Sequence, residues 1–334
     1  MKLLSVIVPC YNSQDYLHKC IDSLVVGGDL MDIIIINDGS EDNTGKIADE
    51  YAAKYPFIRV IHQENGGHGE GINQGLKVAK GIYTKVVDSD DILSEDLPIF
   101  LDQLAKWEEE GGVDLAITNY YYVHNNSKHN KSISYDNALP EETIFGWDDV
   151  KRFYPHQHFT IHSTTYRTEV MRKSTTPLPK HTSYEDNFMV YRSLNDVERM
   201  GYLNVDLYHY TIGRDEQSMQ ESTMIKKYTH LLLVAQLCFT CYHLDDIKST
   251  KLRKYLEHNL FILIGGGVIY GNMNGSLQAK KDIDEFWNAC LDYDKKYAKK
   301  LQRTPLCVSL LPFTISRPIC MIFKWVSHMV VPFN

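Results

Sequence analysis

Asp88-Ser89-Asp90-Asp91 places three carboxylates within four residues, directly after the β-branched run Lys85-Val86-Val87. Like charges this close repel one another and raise each other's pKa, so a divalent cation is their natural neutraliser. Carboxylate oxygens in a loop suit Mg²⁺ and Mn²⁺, which keep waters and can also hold substrate phosphates. The plainer reading is an acidic turn in which one Asp caps the helix suggested by Leu97 to Leu104. Glu185-Asp186 is a second acidic pair, opening a pattern with Phe188, Val190, Tyr191 and Leu194 at helical spacing. Acids in a first helical turn favour the helix dipole, and that role alone would explain them. His156, His158 and His162 could suggest a metal, but their loop spacing points to a polar surface facing an acceptor.

These groups need strands and helices to hold them. Leu3 to Val8 is apolar throughout, as a strand buried on both faces requires, and it ends at Pro9 before Tyr11-Asn12-Ser13. Asp32 to Ile36 runs into Asn37-Asp38-Gly39-Ser40, and Ile58 to His62 runs into Asn65-Gly66-Gly67-His68-Gly69-Glu70-Gly71. A helical pattern follows each, the first opened by Tyr11-Asn12-Ser13 with Leu17, Ile21, Leu24 and Val25 at its apolar positions, the second from about Asp42 to Tyr55 and the third through Leu76 and Val78 to Ala79. Repeated strand-loop-helix units predict a doubly wound, mostly parallel α/β sheet whose strand ends share one rim. Val113 to Thr118 and Ser163 to Arg167 continue as strands, Asn119 to Pro140 as an exposed hairpin or lid, Asp148 to Tyr154 as a helix, and Gly201 to Tyr210 as an edge strand.

At 334 residues, with 43% hydrophobic and 23% charged, the chain has a globular composition. A net charge of -8 argues against non-specific nucleic-acid binding. Seven cysteines without framework spacing point to a reducing compartment, and Cys238-x-x-Cys241 falls in an apolar helical run with no second ligand pair. Leu3 to Val8 is too short for a signal peptide, so a cytoplasmic protein is expected.

From Lys226 the pattern turns to long helices, one to about His243 and another from Leu252 to Ile264, stopping before Gly265-Gly266-Gly267. Residues 221–334 are expected to form a helical extension after a first domain over 1–220. The tail's longest proline-free piece, Ile319 to Val331, has thirteen residues including Lys324 and His328. That is too short to cross a bilayer and suits either a membrane-surface helix flanked by Arg317 or packing onto the domain.

Val6-Ile7-Val8-Pro9-x-Tyr11-Asn12, Asn37-Asp38-Gly39-Ser40, Asn73-x-Gly75 with Ala79-x-Gly81, Asp88-Ser89-Asp90-Asp91 and Glu185-Asp186 occur in the order seen in family 2 glycosyltransferases, which the chain resembles. The likeness is dense to about residue 110 and thinner to about 220. It implies a GT-A fold, a Rossmann-like nucleotide-sugar domain with a donor half over about 1–110 and an acceptor half over about 111–220. It also implies an inverting transferase assisted by Mn²⁺ or Mg²⁺, moving sugar from a UDP-sugar to a glycan or lipid-linked acceptor in surface polysaccharide synthesis. Pro9, Tyr11 and Asn12 would lie by the nucleobase, Asp38 would accept a hydrogen bond from uracil, and Ser89 and Asp90 would lie near the ribose. Asp91, with Asp90, would ligate the metal while Asp88 supports it. Asp186 would be the base that takes the acceptor's proton, with Glu185 beside it. Ile72 stands where family members have an arginine. The diphosphate would then be met by His68, by the N–H groups of Gly66, Gly67 and Gly69, or by Arg214. Two other readings compete. One is a folded but inactive relative acting as an assembly partner. The other is a dinucleotide oxidoreductase, which the Gly67-x-Gly69-x-Gly71 spacing misses.

Overall fold

The computed structural model describes residues 2–124, 131–154, 157–173, 177–212 and 220–304. The chain divides into two compact units, Met1–Gly213 and Arg214–Asn334.

The first unit is built on a ten-stranded mixed sheet. Strands β1 (Lys2–Cys10), β2 (Met31–Asp38), β3 (Ile58–Gln63) and β4 (Gly81–Val86) pair in parallel in the order β3-β2-β1-β4. Helices α1 (Leu17–Val25), α2 (Thr44–Lys54) and α3 (His68–Val78) make the crossovers between them. β1 and β2 are apolar along nearly their whole length because helices cover both faces, and Leu4, Val6, Ile7 and Ile33 to Ile36 are wholly buried. β2 also buries Asp32, which Arg59 of β3 meets through two nitrogens at 2.7–3.0 Å, while Ser5 and the Lys80 amide supply further donors.

Past the acidic turn come β5 (Ile92–Leu93), α4 (Leu97–Glu109), β6 (Leu115–His124), β7 (Lys131–Ile133) and β8 (Ile144–Phe145). β9 (Thr164–Arg167), α5 (Thr168–Lys173), α6 (Glu185–Ser193) and β10 (Met200–Ile212) complete the unit. β9 lies antiparallel between β4 and β6, and β10 runs parallel to β6 for most of its length. The long pairings are parallel. The antiparallel ones span two or three residue pairs each.

Three expectations change. Gly201 to Tyr210 is no edge strand: β10 is held between β6 on one side and β5 and β8 on the other, because its apolar residues pack inward on α4, as Gly201 does on Trp107. Asp148 to Tyr154 is not helical. A single 3₁₀ turn over Trp147–Asp149 gives way to extended chain, with the Lys151 amide donating to the Ala138 carbonyl. The 119–140 region is a hairpin at β6 and β7, but Tyr135, Ala138 and Leu139 beyond it are buried rather than exposed.

The second unit holds α7 (Glu221–Lys226), α8 (Tyr228–Thr240), α9 (Thr250–Asn274), α10 (Leu277–Tyr293) and α11 (Lys295–Gln302). Ser249 and Ser276 cap α9 and α10 with side-chain oxygens. α9 does not stop before Gly265-Gly266-Gly267 but continues through it. A Cβ on Gly267 would stand 2.9 Å from Leu232 of α8, so the glycine permits close helix contact rather than ending the helix. Cys238 and Cys241 are free thiols on and just after α8. Among the described residues no helix is long and apolar enough to cross a membrane, and the tail from residue 305 lies outside them.

Candidate active site

The candidate nucleotide-binding residues, the acids after β4 and the Glu185-Asp186 pair lie at the carboxyl end of a strand or the amino end of a helix. β4 ends in Val86, and Val87 still donates to the Ile7 carbonyl before the chain turns at Asp88, where the Asp91 amide bonds the Asp88 carbonyl at 3.0 Å. That turn folds the Asp91 side chain inward to full burial, against β10. The Tyr208 hydroxyl donates to its Oδ2 at 2.8 Å and the Thr211 amide to its Oδ1 at 2.8 Å. Burial first, then the charge of Asp88, pushes the Asp91 carboxyl well above the usual range.

Asp88, Asp91 and His162 bring one ligand atom each to within 4.8 Å of one another. Two ligands of an octahedral ion with bonds of about 2.1 Å lie at most about 4.2 Å apart, so a small side-chain rotation closes this set on a cation. The repulsion that raises the pKa of Asp91 is what a cation would relieve, and the residues therefore fit a divalent metal. Of the residues expected at the metal, Asp91 and the supporting Asp88 belong to this group of three, whereas Asp90 is half-buried and outside it. Ser89 turns toward β1's loop, its Oγ 2.7 Å from that of Ser13.

His162 sits on the turn before β9. The ammonium of Lys85, buried in β4, donates to its carbonyl at 2.7 Å and to that of Thr164 at 3.3 Å. Burial without a carboxylate partner brings Lys85 down to about 7. The His162 ring stacks on Tyr210 at 4.3 Å between centroids and lies 4.8 Å from Tyr208. Its burial holds the imidazole near 4, hence neutral.

On the other side of Asp88 stands His68, the first residue of α3. Its Nε2 is 2.9 Å from Asp88 Oδ1 and its Nδ1 2.8 Å from Glu185 Oε1. Burial opposes its charge, yet the two carboxylates outweigh that and hold His68 protonated well above its ordinary value. Glu185 is buried, while Asp186 beside it is half-buried. Burial, and then the charges of Glu185 and Asp88 against the relief from His68, bring Asp186 up to about 7. A carboxyl poised there exchanges a proton near neutrality.

The glycine-rich loop is tied from behind. Asp38, 3% exposed, accepts from the amides of Gly66 and Gly67 at 2.8 Å each and from Gln63 at 2.6 Å. Gly67 has φ 84°, and a Cβ there would stand 2.8 Å from the His181 amide nitrogen. The Gly66 and Gly67 N–H groups are thus spent on Asp38 rather than turned outward to a diphosphate, and the Asp38 carboxylate is engaged in the protein. Pro9 is buried, while Tyr11 is 52% exposed. Asn12, at φ 49°, pins its loop to the next one, its amide donating to Ser40 Oγ and its Oδ1 accepting from the Glu41 amide. Arg214 and His156 lie outside the described residues.

The model of the Glycosyl transferase family 2 matches residues 5–173, and EpsH of Bacillus subtilis (strain 168) is 30% identical over 99% of this chain and 93% of its own. The chain is a family 2 glycosyltransferase. GlyG, a glycosyltransferase of Streptococcus pneumoniae serotype 4, is 40% identical over 122 residues, a match to 36% of this chain that spans 40% of GlyG. Residues 1–349 of S. aureus TarS, solved with UDP-GlcNAc, superpose with a TM-score of 0.71 at 20% identity over 97% of this chain and 92% of that one. The family's GT-A fold is therefore the fold of this glycosyltransferase.

The surroundings of two members of the site escape a reading of this family 2 sequence by motif. His68, expected to meet the diphosphate, has both ring nitrogens on carboxylates 20 and 117 residues away. His162 reads as one of three loop histidines, and only the topology brings it beside Asp88 and Asp91. A weak signal existed for His162: it directly precedes a strand predicted to lie in the same sheet.

Proposed function

We propose that this glycosyltransferase moves a sugar from a UDP-sugar to a hydroxyl of a glycan or lipid-linked acceptor in surface polysaccharide synthesis, with inversion. The observation that carries the reading is the His68 bridge. One imidazole spans Asp88 on the cation side and Glu185 on the acid-pair side, so a charge-bearing donor and a proton-accepting Asp186 fit one cleft. TarS, a neighbour in fold, binds UDP and UDP-GlcNAc, which supports uridine as the nucleotide.

In this reading Asp88 and Asp91 would hold Mn²⁺ or Mg²⁺. When bound, the ion offsets negative charge developing on the leaving diphosphate. Asp186 takes the proton of the acceptor hydroxyl. The acceptor oxygen then bonds the anomeric carbon as the bond from that carbon to the diphosphate oxygen breaks, and the electron pair leaves with UDP. A positioned base contributes about 10²- to 10⁴-fold. One carboxylate opposite the leaving group suffices for single displacement. Tyr11 and Asn12 would flank the base, with Pro9 and Asp38 behind them, and Ser89 and Asp90 would face the ribose. Residues 1–110 would serve the donor and 111–220 the acceptor. A tail resting on the inner membrane face would suit a lipid-linked acceptor.

Calorimetric titration with UDP, with and without Mn²⁺, on wild type and Asp91→Ala tests the donor assignment. Metal-dependent binding lost in the variant is expected. Absence of UDP binding by wild type under both conditions would overturn the choice of nucleotide. Asp186→Asn should keep UDP affinity and lose turnover by about 10²- to 10⁴-fold; unchanged turnover would remove Asp186 as the base.

A further inference from the structure

We propose that His162 is a third protein ligand of the donor-site cation and that its nitrogen biases the site toward Mn²⁺ over Mg²⁺. The inference rests on the metal-assisted reading above and goes beyond it in naming the ligand and the metal preference.

Two histidines border the acidic turn, and their surroundings separate their roles. Both ring nitrogens of His68 are taken, one by Asp88 and one by Glu185. Neither ring nitrogen of His162 has a hydrogen-bond partner among the described residues, although one lies within 4.8 Å of carboxylate oxygens of both Asp88 and Asp91. A ring nitrogen placed near two carboxylates without bonding either is in position to share a cation with them. The ring is also fixed before any ion arrives. Lys85 holds the His162 carbonyl from inside the sheet, and Tyr210 stacks on the ring at an interplanar angle of 22°. Pre-oriented ligands lose little freedom on binding, which raises affinity without new contacts.

The chemical consequence follows from ligand type. Mg²⁺ demands oxygen ligands and near-ideal octahedral geometry, whereas imidazole suits first-row transition ions and adds little for Mg²⁺. Two carboxylates alone would discriminate weakly between the two. An imidazole in the set tilts the balance.

The deciding experiment is pulsed EPR on the wild-type protein with Mn²⁺ and UDP, in natural-abundance and uniformly ¹⁵N-labelled forms. A ¹⁴N modulation from bound imidazole is expected. It should vanish on ¹⁵N labelling and in His162→Gln, and persist in His68→Gln. Calorimetric titration should show Mn²⁺ binding weakened at least about tenfold in His162→Gln, with a much smaller change for Mg²⁺. Bound Mn²⁺ with no nitrogen modulation in wild type would overturn the inference and leave the metal-assisted reading intact. So would persistence of the modulation in His162→Gln. Failure of wild type to bind Mn²⁺ at all would overturn both. Absence of the modulation in wild type overturns the inference without any variant, so a misfolded His162→Gln would not rescue the idea.

Discussion

The Nδ1 of His68 stands 2.8 Å from Oε1 of Glu185, joining the first residue of α3 to the first residue of α6 across 117 positions of sequence. Two helix amino ends, each carrying partial positive charge, meet there around an imidazolium. Glu185 is what makes the meeting stable, and Asp88 shares the load from the other ring nitrogen.

Removing the imidazole leaves Glu185 buried without its partner. His68→Ala should therefore lower unfolding free energy by roughly 1–3 kcal/mol, read by urea titration. An unchanged midpoint would mean that Glu185 finds other donors.

With Asp186 as the proposed base, its carboxyl near 7 predicts the pH dependence of turnover. A base must be ionised, so kcat/KM should rise with pH through about 7 and level off above it. Because the His68 charge lowers the pKa of Asp186, His68→Gln should move that rise to higher pH. A profile that falls across the same range would assign Asp186 the role of an acid.

The same raised carboxyl has a stability cost of definite sign. The folded state holds the Asp186 proton above the pH at which the unfolded chain releases it, so its contribution fades as pH climbs from the unfolded value through about 7. Asp186→Asn should be more stable than wild type at pH 8 and gain less at pH 5, by thermal melting. Equal differences at both values would contradict the raised pKa.

Far from the site, Arg59 is the main partner of buried Asp32, which keeps only Ser5 and the Lys80 amide without it. Arg59→Ala should cost on the order of 2–4 kcal/mol, toward the lower end since Arg59 is partly exposed. Arg59→Ala with Asp32→Asn should recover part of that loss. Lack of any recovery would show that the penalty is packing and not charge.

The donor edge was legible in the sequence because its signals are local. Apolar strands ending in Asp38 or in Asp88 to Asp91 announce a parallel sheet with a polar rim, and family motifs sit at those ends. What was not legible depends on pairing between distant segments. Nothing near Gly201 reveals that β10 is flanked on both edges, since edge and interior strands differ in neighbours and not in composition. Asp148 to Tyr154 has helix-compatible residues, but past the 3₁₀ turn the Lys151 amide bonds Ala138 and the Tyr154 amide the Gln157 side chain. Which acids of Asp88 to Asp91 gather with His162 depends on the turn geometry, invisible in the string Asp-Ser-Asp-Asp.

β10 and β6 fall out of step near the middle of their pairing. Between the pairs Leu203 with Thr118 and Tyr208 with Tyr120, β10 advances five residues while β6 advances two. The surplus is odd, and side chains alternate faces along a strand. This irregularity therefore sets which way Tyr208 and Tyr210 look, and with them the ring that backs His162 and the hydroxyl that holds Asp91. Loss or gain of a single residue between 204 and 207 would leave hydropathy almost untouched and still turn Tyr208 and Tyr210 to the opposite side of the sheet. Length in this short stretch thus carries a parity: a change of one residue reverses the faces of Tyr208 and Tyr210, and a change of two restores them.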